Sequence, residues 1–109
     1  DPISGYRSNL RTAIMDKDYY AYILNNKWRT VLYTGVTNNI RRRAAEHKGK
    51  VNKGFTARYN VDRLVYYEVF QDIRRAVSRE KQIKAGSRTT KLSLIKAMNP
   101  SFLDLSESL

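Results

Sequence analysis

Apolar and polar positions change period several times along the 109 residues, and each change marks an element. "YYAYIL" (19–24) is an aromatic and aliphatic run of strand character, and "RTVLYTGV" (29–36) is a second, rich in β-branched and aromatic residues. Turn residues in "NNKW" join them, so the pair predicts an antiparallel hairpin. Thr37 or Asn38 can cap a following helix over about 39–48, which stops at Gly49. A glycine-bounded basic loop, "GKVNKGFTARYN", comes next, and "DRLVYYEVF" (62–70) reads as a third strand. Asp72 then caps a long helix, "IRRAVSREKQIKA", closed by Gly86, and Ser87 opens a final helix that ends at "NP" (99–100). Leu92, Ile95 and Met98 give that last helix its apolar stripe.

The order ββαβαα predicts an α+β domain: a small three-stranded antiparallel sheet flanked by helices. Residues 1–17 show no sustained period and read as an extension or leader, with Met15 a candidate initiator. The domain is placed over 18–105 and a short tail over 106–109.

Two helices carry residues that break their own pattern. In the long helix the inward positions run Ile73, Ala76, Val77 and Ile83, and Glu80 falls inside that stripe. A carboxylate facing a sheet must be paired, protonated or bound to a cation, because isolated burial costs too much. A salt bridge to one of the nearby arginines is one solution, and a metal ion is the other. In the first helix Ile40 and Ala44 mark the inner face, and Arg43 and His47 stack beside it one turn apart. Guanidinium grips phosphate oxygens bidentately, and imidazole exchanges protons near neutrality. Strand alternation puts Tyr20 and Tyr22 on one face and Tyr33 and Gly35 on one face, so two phenols can meet beside a residue with no side chain.

Charge narrows the function classes. Lys and Arg number 21 against 10 Asp and Glu, a formal +11, and such a surplus on a small domain points to a polyanion, nucleic acid first. The basic residues are not gathered opposite one apolar helical face, which argues against a membrane surface. No run approaches the roughly 20 apolar residues of a bilayer span. Without cysteine there is no disulfide framework, thiolate metal site or thiolate nucleophile. With no apolar signal segment visible either, the chain reads as cytoplasmic.

Taken together, these residues resemble the GIY-YIG nuclease superfamily, and the small stand-alone bacterial members in particular. The two signature tripeptides read Tyr20-Ala21-Tyr22 and Tyr33-Thr34-Gly35 on the two hairpin strands, Arg43 lies ten residues after Tyr33, and His47 follows one turn later. Glu80 on the long helix matches the family's metal-binding glutamate, and "YNVDRLVYYE" followed by "AVSREKQIKAG" is similar to the stand-alone members. Tyr20 replaces the first glycine, Thr34 an aliphatic residue, and Leu103 stands where many relatives have a C-terminal asparagine, leaving Asp104 as the neighbouring substitute.

The resemblance implies a DNA endonuclease, in repair or recombination, that hydrolyses phosphodiesters with one Mg²⁺ or Mn²⁺ held by Glu80. Arg43 would stabilise charge on the phosphate, Tyr22 would orient or deprotonate the attacking water, and Tyr33 and His47 would position it or relay the proton. Bringing a phenol from pH 10 to about 7 takes roughly 4 kcal/mol, which nearby cations supply and burial opposes. Lys48, Lys50, Lys53, Arg58 and Arg42 are the candidate nucleic-acid contacts, with Phe55 and Tyr59 among them able to stack on exposed bases or to fold into the core. One site cuts one strand per visit, so a homodimer or partner subunit is a further expectation. The competing class is a noncatalytic nucleic-acid-binding module, favoured by the missing asparagine.

Overall fold

A computed structural model describes residues 18–50 and 54–109 of the chain. Three antiparallel strands, β1 (Tyr19–Asn26), β2 (Leu32–Thr37) and β3 (Val61–Phe70), pair in the order β2-β1-β3, so the first strand is central and β2 is an edge. Helix α1 (Ile40–Gly49) and a single turn, α2 (Phe55–Arg58), lie between β2 and β3. Helices α3 (Ile73–Ala85) and α4 (Arg88–Met98) follow, and a 3₁₀ turn (Leu105–Ser108) ends the chain. The α+β class and the order ββαβαα hold, with α2 an addition inside the basic loop.

The sheet is buried on both faces, which its period-two pattern dictates. Tyr22, Leu24, Val61 and Leu64 pack with Ile40 of α1, joined by Tyr33, Leu105 and Leu109. Ala21, Ile23, Val65 and Tyr66 pack on the opposite side with Ile83 of α3, Ile95 of α4 and Phe102. Central β1 therefore contributes to both layers, and Tyr22, Ile23 and Leu24 are all but inaccessible.

Boundaries moved where side chains capture backbone groups. Asn39, rather than Thr37 or Asn38, caps α1: its Oδ1 accepts from Arg42 N at 3.0 Å, while Thr37 Oγ1 accepts from Asn39 N at 3.1 Å. That helix runs through Gly49 and stops on Lys50, which takes the left-handed conformation (φ 53°). β2 begins at Leu32 instead of 29, because Asn26 Oδ1 accepts from Thr30 N and Val31 N and lengthens the turn, with Arg29 at φ 60°. Asp72 and Ser87 cap α3 and α4 as their sequence signals predict, accepting from Arg74 N and Thr90 N. Two stripe positions face solvent instead of core: Ile73 and Met98, each the terminal residue of its helix. The stretch 1–17, including Met15, lies outside the described residues, as does Lys53.

Candidate active site

The hairpin register sets the site. Tyr22 pairs with Gly35 and Leu24 with Tyr33, so the two phenols stand on one face, ring centroids 6.5 Å apart. Tyr20 shares that face but turns to Tyr67, 6.1 Å away, and lines a neighbouring groove with Arg41 and Arg42. Gly35 provides room, and no glycine among the described residues has a positive φ. Its missing side chain is occupied by the Tyr22 hydroxyl.

Around this point lies a cavity of about 380 Å³ at the β2 edge, reached from both helical layers. Tyr22, Tyr33 and Gly35 come from the sheet, Arg43 and His47 from α1, Glu80 and Lys84 from α3, and Phe55 and Thr56 from α2. All five residues singled out as a reaction centre, Tyr22, Tyr33, Arg43, His47 and Glu80, line it.

Their contacts order them. His47 Nε2 is 3.4 Å from the Tyr22 hydroxyl, and its Nδ1 is 3.0 Å from Thr56 Oγ1. With the ring proton on Nδ1 donating to Thr56, Nε2 is left to accept from the phenol. Burial first, then the Arg43 guanidinium, holds His47 below its ordinary pKa, with Glu46 opposing, which favours the neutral imidazole. Tyr22 moves the other way. Burial raises its pKa above the ordinary phenol value, Tyr33 adds to the rise, and Arg43 only partly offsets it. The cation effect read from the sequence is present but smaller than burial, so Tyr22 in this state is a phenol and a hydrogen-bond donor.

Arg43 Nη1 donates to Glu46 Oε1 at 3.2 Å, and its Nε is buried with no partner among the described residues. A buried, unpaired guanidinium N–H is costly to the fold. Glu80 is buried as its place in the stripe predicts, and its counter-ion is Lys84, with Nζ at 2.8 Å from Oε2, rather than an arginine. Lys84 sits at i+4, one turn on, where a flexible stem on the solvent side can reach back over the carboxylate. Among the described residues no group of three or more His, Cys, Asp or Glu is placed to hold a metal ion together. A lone carboxylate is the kind of oxygen donor that hard divalent cations take while keeping most of their waters.

The chain matches the model of the GIY-YIG catalytic domain over residues 18–93. It belongs to the GIY-YIG family. Within that family it is similar to UPF0213 proteins: 42% identical over 76 residues to one from Clostridium perfringens, covering 70% of this chain and 81% of the relative. It is 43% identical over 82 residues to another from Syntrophus aciditrophicus, covering 74% and 92%. The solution NMR structure of the UPF0213 protein BH0048 from Bacillus halodurans matches with a TM-score of 0.52 at 27% identity, covering 83% of this chain and 95% of that one.

The GIY-YIG frame also locates the residues outside the cavity. Lys48 pairs with Asp104 and reaches Asp62 O, and Lys50 pairs with Asp62 at 3.6 Å. Arg42 pairs with Glu46 at 3.6 Å, and Arg58 lies over the Tyr59 ring. Asp104, the neighbour of the position where many relatives have asparagine, does not line the cavity. Its carboxylate accepts from Leu64 N, Ser106 N and Lys48, tying the 3₁₀ turn to β3, away from the cavity. The tail is held by Asn99, which donates to Val65 O and Leu103 O and accepts from Leu103 N. Asn99, Thr56 and Lys84 were not singled out from the sequence. Only Lys84 had a visible signal there, its position four residues after an inward carboxylate.

Proposed function

We infer that this GIY-YIG protein is a divalent-metal-dependent endonuclease that hydrolyses DNA phosphodiester bonds. One observation carries the reading: an arginine with an unpaired buried N–H, a histidine 3.4 Å from a buried phenol, and a buried carboxylate converge on one cavity from three layers of the fold.

In this reading the scissile phosphate enters beside Arg43, whose partly exposed guanidinium holds its non-bridging oxygens and binds more tightly as charge builds there. Glu80 would hold Mg²⁺ or Mn²⁺, which supplies Lewis-acid neutralisation of the phosphate. The attacking water hydrogen-bonds to the Tyr22 oxygen. Because burial keeps Tyr22 protonated, its role is relay: the water proton passes to the phenol oxygen as the phenol proton passes to His47 Nε2. Thr56 fixes the ring so that Nε2 faces the phenol, and Tyr33 closes the wall opposite. The +11 charge draws DNA in through its phosphates.

The test is nicking of supercoiled DNA with and without Mg²⁺ or Mn²⁺, by wild type and by Glu80→Gln. Cation-dependent nicking that disappears in the variant, with DNA affinity retained, supports the reading. Binding without nicking under every cation would leave a nucleic-acid-binding module in its place.

A further inference from the structure

An aromatic row leaves the cavity and ends in solvent. Tyr33 and His47 rings are 5.8 Å apart, Tyr33 stacks toward Phe55 at 6.4 Å with planes 27° apart, and Phe55 meets Tyr59 at 4.9 Å. The Arg58 guanidinium lies 5.6 Å over the Tyr59 ring. Phe55 lines both the catalytic cavity and a second, open groove of about 720 Å³ shared with Gly54, Ala57, Arg58 and Tyr59.

Aromatics that merely closed the loop would turn their faces to the core. Here Phe55 is 51% exposed and Tyr59 44%. Phe55 opens α2 and Tyr59 caps its end, its N–H donating back to Phe55 O at 3.1 Å, so the turn brings the two rings side by side. Exposed rings beside a guanidinium, in a strongly basic chain, match the chemistry of a nucleobase: a flat π-face joined to an anionic backbone. In a duplex those faces are covered by neighbouring bases, so only an unpaired nucleotide can use them.

The geometry points to a base-stacking subsite on Phe55 and Tyr59, one step outside the reaction centre, which takes an unpaired nucleobase next to the phosphate being cut. It rests on the nuclease reading and adds a substrate class: DNA that is single-stranded or locally unpaired at the cleavage point. Arg58 contributes by holding the phosphate that follows the stacked base.

Binding to the full chain in EDTA, where a metal-dependent enzyme does not cut, tests this. The probes are a 12-nucleotide oligothymidine carrying one 2-aminopurine and a blunt duplex of the same length. Wild type should quench the 2-aminopurine. Phe55→Leu/Tyr59→Leu should lose the quenching and about tenfold or more in single-strand affinity, with duplex affinity changed less than about twofold. Phe55→Trp, which keeps a ring, should retain single-strand affinity, and unfolding midpoints report whether each variant is folded. Equal losses on both probes, no loss on either, or a Phe55→Trp variant as weak as the leucine pair would overturn the subsite. If wild type binds and nicks duplex DNA while the leucine pair behaves like it, the subsite alone falls. A wild type that binds neither probe removes the nuclease reading as well.

Discussion

The Tyr22 hydroxyl fills the space a side chain at residue 35 would need: a Cβ on Gly35 would lie 2.5 Å from that oxygen and 2.6 Å from the carbon bearing it. The ring cannot swing aside cheaply, since Tyr22 is 2% exposed in a packed layer. Gly35→Ala should therefore displace the phenol from His47 and destabilise the fold by about 1–3 kcal/mol, the ordinary cost of overpacking. Denaturant unfolding measures the stability, and nicking by the folded fraction measures the displacement. A variant with wild-type stability and rate would mean the strand pair relaxes freely.

Lys84 lies where positive charge is wanted at Glu80, so a cation must displace it. Removing it should help. Lys84→Met is expected to bind Mn²⁺ about two- to fivefold more tightly, because an ion pair with a largely exposed lysine is worth only about 0.2–1 kcal/mol. Titration calorimetry on the chain without DNA reads this directly. Weaker binding in the variant would assign Lys84 a supporting role at the carboxylate instead.

His47 should titrate below 6.5, since burial and Arg43 both disfavour its charged form. With the folded pKa below the unfolded one, the unfolded chain takes up the proton first as pH falls through that window. The contribution of His47 to stability is thus present above 6.5 and lost toward acid. An imidazole NMR titration of the metal-free protein measures the midpoint, and Arg43→Met should raise it. A midpoint at or above 6.5 would place the ring in a wetter or more acidic setting than the contacts give.

Much of this fold is legible because it is locally encoded. Asp72 and Ser87 announce their helices by occupying the cap position itself, and alternation in β1 sorts Tyr22 from Ile23 before any partner is known. The residues lining the cavity were legible as a family pattern and as violations of local periodicity, Glu80 most plainly. What was not legible depends on distant partners. The turn α2 hides in a glycine-bounded basic loop, and nothing local says that Thr56 meets His47 nine residues earlier. Asp104 looks available in the sequence, yet β3 and Lys48, 56 residues away in the chain, use up its carboxylate. The balance of effects on Tyr22 was also hidden, since burial can outweigh Arg43 only once both helical layers have closed over β1.

Single-turnover cleavage of supercoiled DNA by Tyr22→Phe and Arg43→Ala, set against their folding and DNA affinity, bears most directly on whether the cavity is a reaction centre. Tyr22→Phe removes one hydroxyl and keeps the ring, so the fold should lose only about 1 kcal/mol. Cutting the proton path from water to His47 should slow cleavage by about 10²-fold or more with affinity unchanged. Arg43→Ala should lose a comparable factor in rate and little in binding, one phosphate contact among many. Folded variants that both cleave at the wild-type rate would contradict the assignment and reduce the Tyr22, Arg43 and His47 cluster to packing.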